Sequence, residues 1–390
     1  MKVQPYKIEF LEKASQIPDD LWEVCFRAPG EGRWWYEAVE QSGIDDQFTF
    51  FYGLIKHLGS PVGIVPVFVM DMPVEQVAPQ EFLRILELIG KIGPSVLRQR
   101  TLFVGSPILD ESRVALLSHV NRPAALLALQ IALEAKAGQL RASLIIWKDF
   151  PESSSAEMDW LSHQRRLFRV VSLPNTMVEL QSRRKEDYFA AMTGSRRQNL
   201  KRKLRRSRER VALNVEIVQR PDAKTLDDIF ALFWQTYEKS PSKFERLSRK
   251  FFEVFAEKQA TLFILLREKV TSELVAFKLC FDMGERLVSL FIGMDYSRPK
   301  EWMLFFRLWE AAIDLALSRG FTTIVSGRSS YDVKIETGHT LVRLNNYCRH
   351  RNVLLNTIYG MIAQRLDWAS LDEALGRLPE NASRGVHSPN

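Results

Sequence analysis

One pattern is written twice in this chain, and it constrains the fold more than any single motif. Residues 50–72 read FFYGLIKHLGSPVGIVPVFVMDM, and residues 261–283 read TLFILLREKVTSELVAFKLCFDM. Each is an apolar run, a polar turn and a second apolar run closing on Asp-Met, at Asp71-Met72 and Asp282-Met283. Such a pair reads as a β-hairpin. A helix follows in each half. The first is introduced by Arg122-Pro123, runs as AALLALQIALEAKAG and is expected to stop at Gly138. The second is introduced by Arg298-Pro299 and runs as EWMLFFRLWEAAIDLALSRG to Gly320. Proline presets a helical φ at a helix start, and glycine tolerates left-handed backbone just past its end. Each helix then feeds a further β-type segment, ASLIIWKDF and FTTIVSGRS.

With 390 residues the chain is long for one core and sufficient for two. The expected fold is therefore α/β with mixed sheets, two similar domains in tandem. The boundaries are residues 1–180 and 181–375, with a polar tail at 376–390 and the junction near LPNTMVELQSRRKEDY. In the second half the order is a basic helix, strand VALNVEIVQ, helices LDDIFALFWQTYEKS and RKFFEVFAE, the hairpin, and a third strand RLVSLFIGMDY. Several antiparallel strands in succession argue for a mixed sheet rather than a doubly wound one. The first half differs by an insertion, PVEQVAPQEFLRILELIGKIGPSVLRQR, at residues 73–100.

Charge is concentrated. The net charge is +7, and nine of the sixteen residues from Ser195 to Arg210 are Arg or Lys. Ser195 stands three residues before Gln198, the spacing of a capping box, so a helix is expected from Arg196. Leu200 and Leu204 would form a narrow apolar stripe extended by Phe189 and Met192. Three readings fit such a helix: a solvated charged face, a phosphate-binding face for nucleic acid, or the wall of a groove for substrate phosphate, which suits the planar fork of arginine.

Other chemistries find little here. Cys25, Cys280 and Cys348 are far apart, so neither a disulfide framework nor a zinc site is expected. The first residues, MKVQPYKIEFLEK, lack the apolar core of a signal peptide. No run approaches the length of a membrane span, and a cytoplasmic location is expected. No HxxxH, HExxH or carboxylate cluster implies a metal, no P-loop implies direct use of ATP, and no GxSxG or Cys–His pair implies a covalent nucleophile.

The stretch YFAAMTGSRRQNLKRKLRRSRERVALNVEIV resembles the segment that opens the second domain of Fem-type and CelD-like tandem GNAT acyltransferases. GRSSYDVKIETG, residues 327–338, is similar to the same group, as is WKDFP at 147–151. The resemblance covers the second half well and the first half loosely. It implies two GNAT-like domains and transfer of an acyl or aminoacyl group to an amine. Such aminolysis needs a positioned donor carbonyl, polarisation of its oxygen and removal of a proton from the amine.

On this basis Tyr331, Asp332, Lys334 and His339 are the catalytic candidates. Arg196, Arg197, Lys201, Arg202, Arg298 and Arg328 are the phosphate-binding ones, with Lys300 beside Arg298. Trp34 and Trp35 are read as core or as the lining of a groove in the first domain. Trp302, Phe305, Phe306 and Trp309 follow helical spacing as core or as the floor of an acyl pocket.

Two departures from the resemblance matter. No long helical-hairpin insertion is present in the second domain. The glycine-rich turn R/Q-x-x-G-x-G/A, which places backbone amides around pyrophosphate, is replaced by DYSRPKEW. The expected donor is an acyl thioester, acyl-CoA or acyl-carrier protein, with no bound cofactor. The alternatives are an aminoacyl-tRNA-dependent Fem-type ligase, or a non-catalytic protein that binds nucleic acid or a membrane surface. The oligomeric state is not readable from the sequence.

Overall fold

The computed structural model describes residues 6–27, 30–73, 98–240 and 243–378. Nearly all of the insertion at 73–100 and most of the tail at 376–390 lie outside them. The chain forms two compact units. Unit 1 takes Met1–Arg27, Asp45–Pro174 and Val342–Asn390, and unit 2 takes Ala28–Ile44 and Asn175–Leu341.

Unit 1 is built on one sheet of β1 (Tyr6–Leu11), β2 (Thr49–His57), β3 (Ser60–Pro73), β4 (Arg98–Val104), β5 (Ala115–Leu116), β6 (Leu144–Pro151), β7 (Phe168–Val171) and β15 (Leu344–His350). Its order is β1-β2-β3-β4-β6-β15-β7, with β5 on β3. Unit 2 is built on β8 (Asn175–Glu179), β9 (Leu213–Val218), β10 (Thr261–Glu268), β11 (Leu274–Met283), β12 (Arg286–Met294), β13 (Thr323–Val325) and β14 (Thr340–Val342). Its order is β14-β8-β13-β12-β11-β10-β9. Read from opposite ends, the two orders correspond strand for strand. In each sheet the hairpin seen in the sequence, β2-β3 or β10-β11, is antiparallel. A parallel pair follows, β4 with β6 and β12 with β13. The duplicated mixed α/β fold is what the repeated pattern predicts.

Three segments leave the half of the chain in which they are written. The sixth place in the unit 1 sheet belongs to β15, which pairs with β6 and β7. The matching place in unit 2 belongs to β8, paired with β13. The Trp34-Trp35 segment also moves. Helix α2 (Arg33–Gln41) lies in unit 2, where Trp35 is fully buried with ring centroids 5.0 Å from Phe255 and 4.9 Å from Phe281. Trp35 is core, not the wall of a groove in the first domain.

The helices of unit 1 include α1 (Asp19–Cys25), α3 (Arg122–Gln139), α4 (Ser155–Arg165) and α11 (Val353–Ala363), with two short ones at Trp368–Leu371 and Glu373–Gly376. Unit 2 adds α5 (Lys185–Ala190), α6 (Gly194–Arg210), α7 (Ala223–Lys239), α8 (Arg249–Ala256), α9 (Leu304–Arg319) and α10 (Tyr331–Glu336). Asn121 caps α3 by accepting from the Ala124 amide, but the helix runs through Gly138 to Gln139. Pro299 begins a 3-10 turn, and α9 starts only after Met303, which takes a left-handed φ of 50°. Gly320, at φ 79°, ends α9 as expected. Helix α6 begins at Gly194, so Ser195 is already inside its first turn and makes no capping box.

Candidate active site

The site in unit 2 is assembled where its two parallel strands end. β12 and β13 pair only as far as Val288 and Val325. Beyond Val325 the chain turns through Gly327 at φ 73° and Ser330 at φ 55°. The left-handed steps fold α10 back so that Lys334 lies under the end of β13. Lys334 Nζ donates to the carbonyls of Ser326 and Gly327, the latter at 3.1 Å. Thr176 Oγ1 donates to the same Gly327 carbonyl at 2.7 Å.

Next to it, His339 is buried with both ring nitrogens engaged. Nδ1 lies 3.0 Å from the Lys334 carbonyl and 3.1 Å from Thr337 Oγ1. A carbonyl can only accept, which puts the proton on Nδ1 and leaves Nε2 to accept from Ser326 Oγ at 2.9 Å. Burial, reinforced by the positive charges of Lys334 and Lys278, pushes His339 down to about 3. The imidazole is neutral at ordinary pH.

Lys278 completes the group. It is buried on β11 and donates to Ser289 Oγ of β12 at 3.0 Å. Burial holds its ammonium below the usual lysine range. Lys278, Lys334, His339 and Ser326 line a cavity of about 10 Å³ with Phe305, Trp309, Ala312 and Ile324. That is the room of one water-sized group. Two basic side chains therefore face one small, mostly apolar space, and no carboxylate lines it.

Residues 194–334, from α6 to Lys334, match the family model described as an acetyltransferase (GNAT) domain. FemX aligns over 90% of this chain and 100% of its own at a TM-score of 0.59 and 10% identity. L-PGS from Bacillus licheniformis aligns over 89% and 96% at 0.54 and 13% identity. A tandem GNAT protein from the clavulanic acid biosynthesis pathway aligns over 89% and 99% at 0.50 and 9% identity. No curated protein matches the sequence. Residues 194–334 are a GNAT domain, and the chain has the fold of the tandem-GNAT and Fem-type structures.

In this tandem-GNAT fold the residues singled out from the sequence part company. Lys334 and His339 come together at the cavity, and Tyr331 is buried in the first turn of α10. Asp332 is exposed and lines nothing there, while Arg328 is half-buried two residues past Ser326. Arg298 is engaged by carboxylates: Nε donates to Asp295 at 2.8 Å, Nη2 donates to Glu273, and Nη1 lies 3.5 Å from Glu268.

The cations of α6 differ in what they meet. Leu200, Leu204 and Ser207 are buried, and the leucines share a core cluster with Phe189, Met192 and Trp309. Lys203 pairs with Glu336 at 2.6 Å, and Arg208 pairs with Glu310 at 2.6 Å. Arg196, Arg197, Lys201 and Arg202 form no ion pair among the described residues. Arg197 donates to the Ala190 carbonyl, Arg202 to Asn199, and Lys201 lies over the Phe189 ring. None of the four lines the cavity.

Lys278 is the residue that sequence reading missed. A signal was present: it is the one charge inside LVAFKLC, where a strand buried on both faces otherwise admits only apolar side chains. Ser326 and Ser289 carry no such signal. Among the described residues no cluster of His, Cys, Asp and Glu stands close enough to hold a metal.

Proposed function

We propose that the chain is an N-acyltransferase that moves an acyl group from a thioester donor to an amine, with the reacting atoms at the Lys278–Lys334 cavity of unit 2. The observation that carries this reading is the pair of buried lysines on one oxygen-sized space, at the end of the parallel strands of a GNAT fold. Attack of the amine on the donor carbonyl forms an N–C bond and an oxyanion. The C–S bond then breaks, the thiolate leaves, and the amine nitrogen gives up a proton.

Lys334, fixed by two backbone carbonyls, supplies the positive charge that steadies the oxyanion. Lys278, whose burial favours the neutral amine, accepts the proton. His339 is too weakly basic for that task and instead holds the Ser326 hydroxyl. The unpaired cations Arg196, Arg197, Lys201 and Arg202 provide contacts for the phosphates of the donor.

The test is thermal shift and product formation with acetyl-CoA, long-chain acyl-CoA, acyl-carrier protein and tRNA, charged and uncharged. Stabilisation by a thioester, reduced in Arg197→Glu/Arg202→Glu, supports the proposal. Stabilisation by tRNA alone overturns the thioester donor. Transfer that survives in both Lys278→Met and Lys334→Ala overturns the assignment of the site.

A further inference from the structure

Helix α11 departs from the rule that the outward face of a surface helix is polar. Its inner face is settled by contacts within unit 1. Asn356 Oδ1 accepts from the His350 amide at 2.8 Å, Tyr359 packs on Phe168 and His350, Gly360 lies against Phe168, and Ala363 is buried. The opposite face carries Leu354, the half-buried Ile358 and Met361, spaced four and three residues apart, so they form one stripe along the helix. Leu354 is 69% exposed and Met361 55%, with Val353 at 66% beside them.

The charges that flank the helix in sequence are arginines. Arg351 precedes the helix and Arg365 follows it, both exposed and neither ion-paired among the described residues. Arg166 is exposed where its backbone carbonyl accepts from Asn356 at 3.0 Å. The sequence has no Asp or Glu between Glu336 and Asp367.

We infer that α11 is a docking helix for the surface of an anionic phospholipid membrane. An apolar outer face flanked by arginines fits the boundary between acyl chains and phosphates. The leucine, isoleucine and methionine enter the hydrocarbon edge while the guanidiniums pair with headgroup phosphates. The like charge flanking the face opposes its pairing with a second copy of itself. At eleven residues the helix is too short to span a bilayer, and no described helix is long and apolar enough to do so. The contact is peripheral and lies flat.

The test is co-sedimentation of the full chain with vesicles of phosphatidylcholine alone and with about one third phosphatidylglycerol, alongside sedimentation velocity without lipid. Binding to the anionic vesicles is expected, with little to the neutral ones. Leu354→Asp/Met361→Asp should abolish it without changing the melting temperature, since both positions are exposed. Arg351→Gln/Arg365→Gln should weaken it by about fivefold per arginine, and added salt should weaken it further. Absence of binding, or binding that Leu354→Asp/Met361→Asp leaves intact, overturns the inference. So does a lipid-free dimer that the same double variant dissolves, which would assign the face to a second copy.

Discussion

At the scale of single residues, the site turns on groups that burial has driven toward neutrality. Lys278→Met removes a desolvated amine and substitutes an apolar side chain of similar length. Turnover should fall by about 10²-fold or more, while the melting temperature holds or rises. The folded-state value of Lys278 lies below the unfolded one, so the unfolded chain binds more protons between them. Wild-type stability should therefore rise with pH toward 10.5, and Lys278→Met should flatten that rise in a denaturant series. His339 acts the same way in acid. Its folded value of about 3 lies below the ordinary 6.5, so stability is fully present above 6.5 and declines as pH falls toward 3. The loss is on the order of 5 kcal/mol if the site stays folded. His339→Gln should remove most of that slope, and a slope unchanged by the substitution would refute the assignment. Lys334 was legible because its loop resembles a known pattern. Ser326 and Ser289 were not, since their roles exist only once β11, β12 and α10 are side by side.

At the scale of elements, α6 is half structure and half surface. Truncating Leu200 to Ala should cost about 2–5 kcal/mol, as for other buried leucines. Changing Arg196, Arg197, Lys201 and Arg202 together to Gln should leave the melting temperature nearly unchanged and weaken donor binding by tenfold or more. A large loss of stability in that variant would show that those side chains are structural. Glu310 is the counterweight. Burial alone would raise its carboxyl, but Lys185 and Arg208 outweigh it and hold it below the usual range. Its contribution is present above pH 4.5 and is lost as acid protonates it. The sequence displayed the nine cations and the leucine stripe. It could not sort the cations, because Glu310 and Glu336 lie more than a hundred residues away from their partners. β12 was legible as a strand, but not the reason for Gly293. A Cβ there would stand 2.6 Å from the backbone of Leu232, so Gly293→Ala should push α7 away and lower the melting temperature by several degrees.

At the scale of the whole molecule, the duplicated hairpin, helix and parallel strand were legible because both halves repeat the same hydrophobic period. What local periodicity cannot convey is which sheet a strand joins, and β8 (NTMVE) and β15 (LNNYCRH) are both short and mixed in polarity. A chain ended at Leu341 lacks the sixth strand of unit 1, leaving the edges of β6 and β7 without a partner. It should lose the cooperative unfolding of unit 1 in calorimetry. Supplying residues 342–378 as a separate peptide should restore it in part. The placement of β15 also sets an order of events during synthesis. It emerges from the ribosome about 170 residues after β7, on the order of ten to thirty seconds later at typical elongation rates. For that interval the nascent first sheet carries an open apolar slot, so production of the soluble chain should depend on chaperone supply and on translation speed between β7 and β15.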